Sequence, residues 1–138
     1  MAGERSVLWV MLNPSTADDT VDDPTIRRVR GFTSRFSERL GVYGFTVVNL
    51  FALRSTDPRV LTGSDADIGP DNDRVIAEEA KRAALIVCAW GAHPTFGRAA
   101  QVRKLLGSAP LWCLGTTKAG APRHPLYIRA DKQLEVFQ

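Results

Sequence analysis

The chain is poor in the side chains on which most metal, redox and covalent chemistry depends. It holds two cysteines and two histidines in 138 residues. Cys88 and Cys113 each sit inside an apolar run, with no second cysteine or histidine at ligand spacing. They read as reduced core thiols, not as a disulfide or a metal pair. His93 and His124 fall in separate segments and offer no closely spaced metal-binding pair. There is no Walker-type lysine loop, no glycine-rich dinucleotide fingerprint and no serine nucleophile elbow, which sets aside the chemistries those motifs serve. No apolar run approaches the ~20 residues of a membrane span. Met1 to Arg5 lead into no signal-peptide pattern, so the expected compartment is the cytoplasm. Neither sign of charge dominates: 18 Lys and Arg against 15 Asp and Glu give a net +3. The pI near 9.2 permits an acidic partner without requiring one.

What is present is an ordinary globular composition, 44% hydrophobic, at a length that buries a core without staples. Residues 1–133 read as one domain. Leu134-Glu135-Val136-Phe137-Gln138 reads as the remnant of a protease site from an expression tag and is set aside. Buried strands are expected at Ser6–Leu12, Phe45–Leu50, Leu85–Trp90 and Leu111–Leu114. Helices are expected after Asp23-Pro24, where an N-cap precedes proline, and over Pro70–Ala84 and Phe96–Leu106. Arg54–Gly69 has no clear period and reads as a long loop of the kind that often carries function. Strands alternating with helices predict a three-layer α/β/α fold around a mainly parallel, four-stranded sheet. Ligands of such sheets bind at the carboxyl ends of the strands. Asn13, Asn49, Gly91-Ala92-His93 and the segment from Gly115 to His124 all fall there.

Three of these strand ends carry chemistry. Asn13-Pro14-Ser15 presents an amide on a turn that Pro14 stiffens; the alternative is that Asn13 caps the turn through its own backbone. Asn49 sits inside the run Thr46-Val47-Val48-Asn49-Leu50-Phe51, where a buried amide without partners costs about 1–3 kcal/mol. A planar base edge would supply those partners, as would a neighbouring loop. His124-Pro125 offers an imidazole that can donate to a developing anion, and Arg123 beside it favours the neutral form. His93-Pro94 is the competing histidine. Arg27, Arg28, Arg30, Arg35 and Arg39 crowd one helix, and Arg98, Arg103 and Lys104 another. Such charges usually form a solvated face, and on a nucleic-acid protein they neutralise phosphates.

Residues 6 to 129 resemble a family of small bacterial and phage proteins known only as a domain of unknown function. The match rests on Met11-Leu12-Asn13-Pro14-Ser15-Thr16-Ala17-Asp18, Asp23-Pro24-Thr25-Ile26-Arg27-Arg28, Val48-Asn49-Leu50-Phe51-Ala52, Ala89-Trp90-Gly91 and Pro122-Arg123-His124-Pro125-Leu126-Tyr127. More distantly, Leu8 to Ser15 looks like the first motif of the uracil-DNA glycosylase superfamily. Val47 to Leu50 is similar to its base-reading strand, Ala89-Trp90-Gly91 to a strand end, and His124-Pro125-Leu126 to the start of its histidine motif. Asn13 stands where the strongest uracil-specific branch has Asp, and the Ser and second Pro of the histidine motif are absent. Those departures favour a modified or bulkier base, or loss of catalysis.

The resemblance implies a DNA glycosylase-like protein of uracil-DNA-glycosylase-like fold that flips a damaged or modified base and hydrolyses its glycosidic bond. Asn13 would hold the water and His124 would stabilise the departing base. Asn49 would read the base edge, and Phe32, Phe36 or Phe51 would stack on it. Pro14 and Ser15 would shape the pocket, and Leu126 and Tyr127 would wedge the duplex. Asp18, Asp22 or Asp23 would supply a carboxylate. Arg27, Arg28, Arg123 and Lys118 would meet the DNA backbone. The implied partner is duplex or single-stranded DNA, bound by a monomer without metal or organic cofactor. Two alternatives stay open: a nucleobase- or nucleotide-binding module that does not cut, and a hydrolase of free nucleosides.

Overall fold

Five consecutive apolar residues, with no polar alternation, form a strand that must be covered on both faces. That strand is β1 (Val7–Met11), and every residue in it is buried. The computed structural model describes residues 5–15 and 23–138. In it β1 pairs in parallel with β2 (Phe45–Asn49) on one side and β3 (Leu85–Cys88) on the other. β4 (Leu111–Cys113) continues the parallel set beyond β3, and β5 (Glu135–Val136) runs antiparallel to β4. The order is β2-β1-β3-β4-β5. The fold is α/β around one mixed five-stranded sheet, where four strands were expected.

α1 (Pro24–Leu40) starts and stops as its sequence requires. Asp23 accepts the backbone N–H groups of Thr25 at 2.7 Å and Ile26 at 3.4 Å, Pro24 takes the first position, and Gly41 ends the helix at φ +66°. Its buried side, Val29, Phe32 and Phe36, packs on Val7, Trp9, Met11, Val87 and Leu114. Trp9 is fully buried, so its indole N–H needs a partner. It donates to the Thr33 hydroxyl at 3.0 Å, which in turn donates to the Val29 carbonyl at 2.8 Å. The opposite face of the sheet, with Leu8, Val10, Leu12, Val48 and Leu50, packs Ile76 of α3 (Asn72–Arg82) and Val102 of α4 (Arg98–Leu105). No helix of the described residues is long and apolar enough to cross a membrane.

The aperiodic stretch Arg54–Gly69 contains a turn of 3-10 helix at Pro58–Val60 and the four-residue α2 (Asp65–Ile68). Elements that short leave no periodicity to read. The loop is organised by Asp67, whose carboxylate accepts the Thr62 N–H at 2.7 Å, the Thr62 hydroxyl at 3.1 Å and the Gly63 N–H at 3.2 Å.

The last residues, beyond the expected boundary at 133, pack on the sheet. Val136 and Glu135 pair with Trp112 and Cys113, and the Phe137 N–H donates to the Leu111 carbonyl at 2.8 Å. Phe137 is only 7% exposed. Its ring meets Trp90 edge-on at a centroid distance of 5.6 Å, and the Arg103 guanidinium lies 4.5 Å from its centroid. Arg103 thus serves packing as well as solvation. The segment is integrated into the core, although two strand residues and one aromatic are too few to distinguish it from a tag by pattern. Phe137→Ala should therefore cost about 3 kcal/mol, read as a lower denaturant midpoint. Removal of residues 134–138 should cost at least as much. An unchanged midpoint in both would mean that the segment is only an appendage.

Candidate functional site

The strand order fixes where a ligand can enter. From β1 the chain moves to β2 on one side, and β3 then lies on the other, so the crevice of this sheet opens at the carboxyl ends of β1 and β3. Leu12-Asn13 and Ala89-Trp90-Gly91 emerge there, with Asn49 at the end of β2 in register with Met11.

Asn49 lies on the face that carries α1, because Val47 and Phe45 of the same strand pack into the α1 core. It is half-buried, and its side-chain amide makes no hydrogen bond to the described residues and stays open to solvent. Its backbone, by contrast, is clamped. The Asn72 amide donates to the carbonyls of Asn49 at 2.9 Å and Leu50 at 3.2 Å, and Arg98 Nε donates to the Leu50 carbonyl at 2.8 Å. Arg98 is therefore not a solvated or phosphate-facing charge: it is 2% exposed, with Nη2 2.6 Å from the Asp73 carboxylate. That nitrogen is out of line for a hydrogen bond to any partner, so the contact is a pairing of charges.

Asn13 does more than cap its own turn. Its Nδ2 donates across to the loop after β2, to the carbonyls of Leu53 at 3.0 Å and Ser55 at 3.2 Å, and more weakly to Pro14 at 3.4 Å. The Ser55 N–H returns a bond to the Pro14 carbonyl at 2.9 Å. Asn13 thus ties the ends of β1 and β2 together and keeps only its Oδ1 for other work. The Ser15 hydroxyl donates to Asp23 Oδ2 at 2.9 Å, joining the β1 loop to the start of α1. Asp18 and Asp22 lie outside the described residues.

His124 is set against the end of β3. Gly91 sits at φ +84°, and a Cβ built on it would lie 3.3 Å from His124 Cβ, close enough that the histidine would have to shift. The following turn of 3-10 helix, Pro125–Tyr127, is anchored to α1 by Arg28, whose Nε donates to the Pro125 carbonyl at 3.2 Å. His124 Nδ1 accepts the Leu126 N–H at 3.2 Å. A nitrogen that accepts carries no proton, so the neutral ring holds its proton on Nε2, as a donor. Burial pushes the imidazole pKa below its ordinary value, and the Asp23 carboxylate partly offsets that shift. Neutrality therefore comes from burial, where the sequence suggested Arg123.

Several expected participants stand elsewhere. Phe32 and Phe36 are core residues stacked with Trp9. Phe51 is fully buried in the core on the other face. Of the three only Phe36 lines a cavity, one of about 230 Å³ with Leu40, Leu85 and Trp112 at the opposite end of the sheet from Asn49. Arg28 is tied to Pro125 and lies over the Phe32 ring at 5.6 Å. Arg27, Lys118 and Arg123 are exposed. Leu126 is 37% and Tyr127 82% exposed, and the Tyr127 ring lies 5.8 Å from that of His124. His93 neighbours Asp57, whose carboxyl pKa is lowered mainly by Arg59 and slightly by His93. One feature had no sequence signal: Phe96 is 54% exposed and held at φ +56° against Gly63, a conformation bulky residues rarely adopt. Among the described residues no three His, Cys, Asp or Glu side chains group as metal ligands.

A family model described as "Protein of unknown function (DUF1643)" matches residues 1–126, and the chain belongs to that family. No curated protein and no solved structure matches the chain.

The His124 environment has a pH consequence. Its folded pKa lies below the unfolded value near 6.5, so the unfolded chain takes up the proton first as pH falls. The stability that His124 contributes is full above about pH 6.5 and is lost as pH falls toward the folded value. Thermal melts from pH 7.5 to 5 should show a steeper acid loss in the wild type than in His124→Gln. Asp23→Asn should lower the imidazole pKa further in an NMR titration. Parallel melts, or an imidazole pKa above 6.5, would contradict this.

Proposed function

We propose that the carboxyl edge of β1, β2 and β3 on the α1 side is a nucleobase pocket, and that the protein hydrolyses the N-glycosidic bond of a damaged or modified base in DNA. The observation that carries this reading is the placement of an unpartnered amide and a neutral donor imidazole at the same edge of the sheet, one strand apart. Asn49 ends β2 and His124 leans on the end of β3, with β1 between. Strands are spaced about 4.8 Å apart, so the two outer strands stand roughly 10 Å apart.

In this reading Asn49 reads the base edge through its amide donor and acceptor. As the C1′–N bond breaks, its electron pair passes to the base, and His124 Nε2–H donates to the base oxygen where charge collects. Such a donor lowers the barrier by about 3–4 kcal/mol. Water bonds to C1′, with Asn13 Oδ1 available to orient it, and its proton ends on the released base. A neutral imidazole suits this role, because it donates without having to lose a charge. Tyr127 and Leu126, exposed beside His124, are the groups that would enter the stack when the base leaves it. The uracil-DNA-glycosylase-like three-layer architecture belongs to the same proposal and is supported by the order of its four parallel strands and by helices on both faces.

One observation favours a second reading, a base-binding module without cleavage. The Asn13 amide nitrogen is engaged by Leu53 and Ser55, which leaves a single oxygen to place a water. Single-turnover release of bases from oligonucleotides containing uracil, deaminated purines or 5-substituted pyrimidines separates the two. We expect release from at least one substrate, with His124→Ala slowing it a hundredfold or more while binding of the abasic product persists. Asn49→Ala should change which base is released. Base binding without release would support the module, and loss of activity in His93→Ala but not His124→Ala would move the site to the other histidine.

A further inference from the structure

A cavity of about 500 Å³ opens beside the Arg123–Tyr127 segment, over the end of β4, and shares Tyr127 with the surroundings of His124. Its charges do not cancel. The Arg129 guanidinium pairs with Asp131 at 3.2 Å, and Lys132 pairs with Glu135. Arg123 also lines the cavity, and its guanidinium has no hydrogen bond or ion pair with any described residue. The cleft therefore holds three cations against two carboxylates, both already engaged by the other two cations.

Gly115 brings these groups together. It sits at φ +95°, and a Cβ built on it would lie 3.5 Å from Lys132 Cε, 3.6 Å from Arg123 Cδ and 3.7 Å from Glu135 Oε2. The side chains of Arg123 and Lys132 thus converge over one backbone position, held there by the Arg123 N–H bond to the Gly115 carbonyl at 2.9 Å. Thr116 adds a hydroxyl at the same wall. A guanidinium without a counter-charge, an ammonium close by and a hydroxyl form a binding set for a tetrahedral oxyanion.

We infer that this cleft is a phosphate site, and that its occupant is a backbone phosphate of the DNA strand whose base is offered to His124. The identity of the occupant rests on the proposed base pocket; the phosphate chemistry stands on the cleft alone. Glu135 competes with the ligand for Lys132, so its removal should strengthen the site.

The test is binding of the full chain to fluorescein-labelled oligodeoxythymidylate across a salt series, with an uncharged methylphosphonate oligomer and inorganic phosphate as competitors, and with folding of each variant checked by its melting temperature. Arg123→Gln should weaken binding about tenfold at low salt and lower the salt slope by about one. Glu135→Gln should tighten binding, a gain that a folding defect cannot mimic. Asn49→Ala should leave the salt slope unchanged. If Asn49→Ala and His124→Ala leave base release untouched while Arg123→Gln and Glu135→Gln behave as stated, the phosphate site stands and the base pocket falls. The inference is overturned if folded Arg123→Gln binds the oligonucleotide like the wild type. It is also overturned if the methylphosphonate oligomer competes as well as the charged strand, whereas equal competition by inorganic phosphate would keep the phosphate site and overturn its assignment to a DNA strand.

Discussion

The parallel pairing of β1 on both of its edges is the constraint from which the rest of the molecule follows. Because β2 and β3 both run parallel to it, their connections must cross over the sheet, and α1 and α3 provide those crossings. The crossings leave every strand-to-helix loop of the parallel set at one end. Asn13, Asn49, Gly91 and the approach to His124 are gathered at that end by topology before any side-chain contact is made. The polar contacts then lock the loops. Asn13 ties the β1 loop to the β2 loop, Ser15 ties it to Asp23, and Arg28 ties α1 to the Pro125 carbonyl.

Burial decides the character of the one imidazole in this set. His124 is held between Gly91 and the turn that follows it, with its Nδ1 occupied by a backbone N–H. Desolvation disfavours the charged form, and the hydrogen bond selects the tautomer. These are separate effects with the same outcome, a neutral ring with a donor on Nε2. The buried Arg98 is the reverse case. Its guanidinium is buried facing Asp73, with the Leu50 carbonyl accepting from its Nε. The β2 end that carries Asn49 is fixed from behind by a charge that takes no part in the proposed pocket.

Much of this was legible in the sequence. Each parallel strand lies within its apolar run, and α1 begins and ends at its Asp23-Pro24 and Gly41 signals, because burial on both faces and capping are written in residue type. The strand-end rule likewise placed Asn13, Asn49 and His124 at one edge. What failed was the choice among similar residues. Phe32, Phe36 and Phe51 carry the same sequence signal as a stacking aromatic, and only packing shows them as core. Arg98 looks like its solvated neighbours on a helix, yet it points inward. β5 has two strand residues, too few for an alternation, and Phe96 is set apart only by its backbone angle.

The proposed base pocket is tested most directly by NMR of the uniformly labelled chain titrated with free nucleobases, following the Asn49 side-chain amide and the His124 ring together. The proposal predicts that at least one base shifts both sets of resonances along a single saturable curve, with the His124 Nε2 proton moving as it gains an acceptor. A panel of bases that leaves both residues unmoved, or that shifts His93 and Phe96 while Asn49 and His124 stay in place, would contradict it.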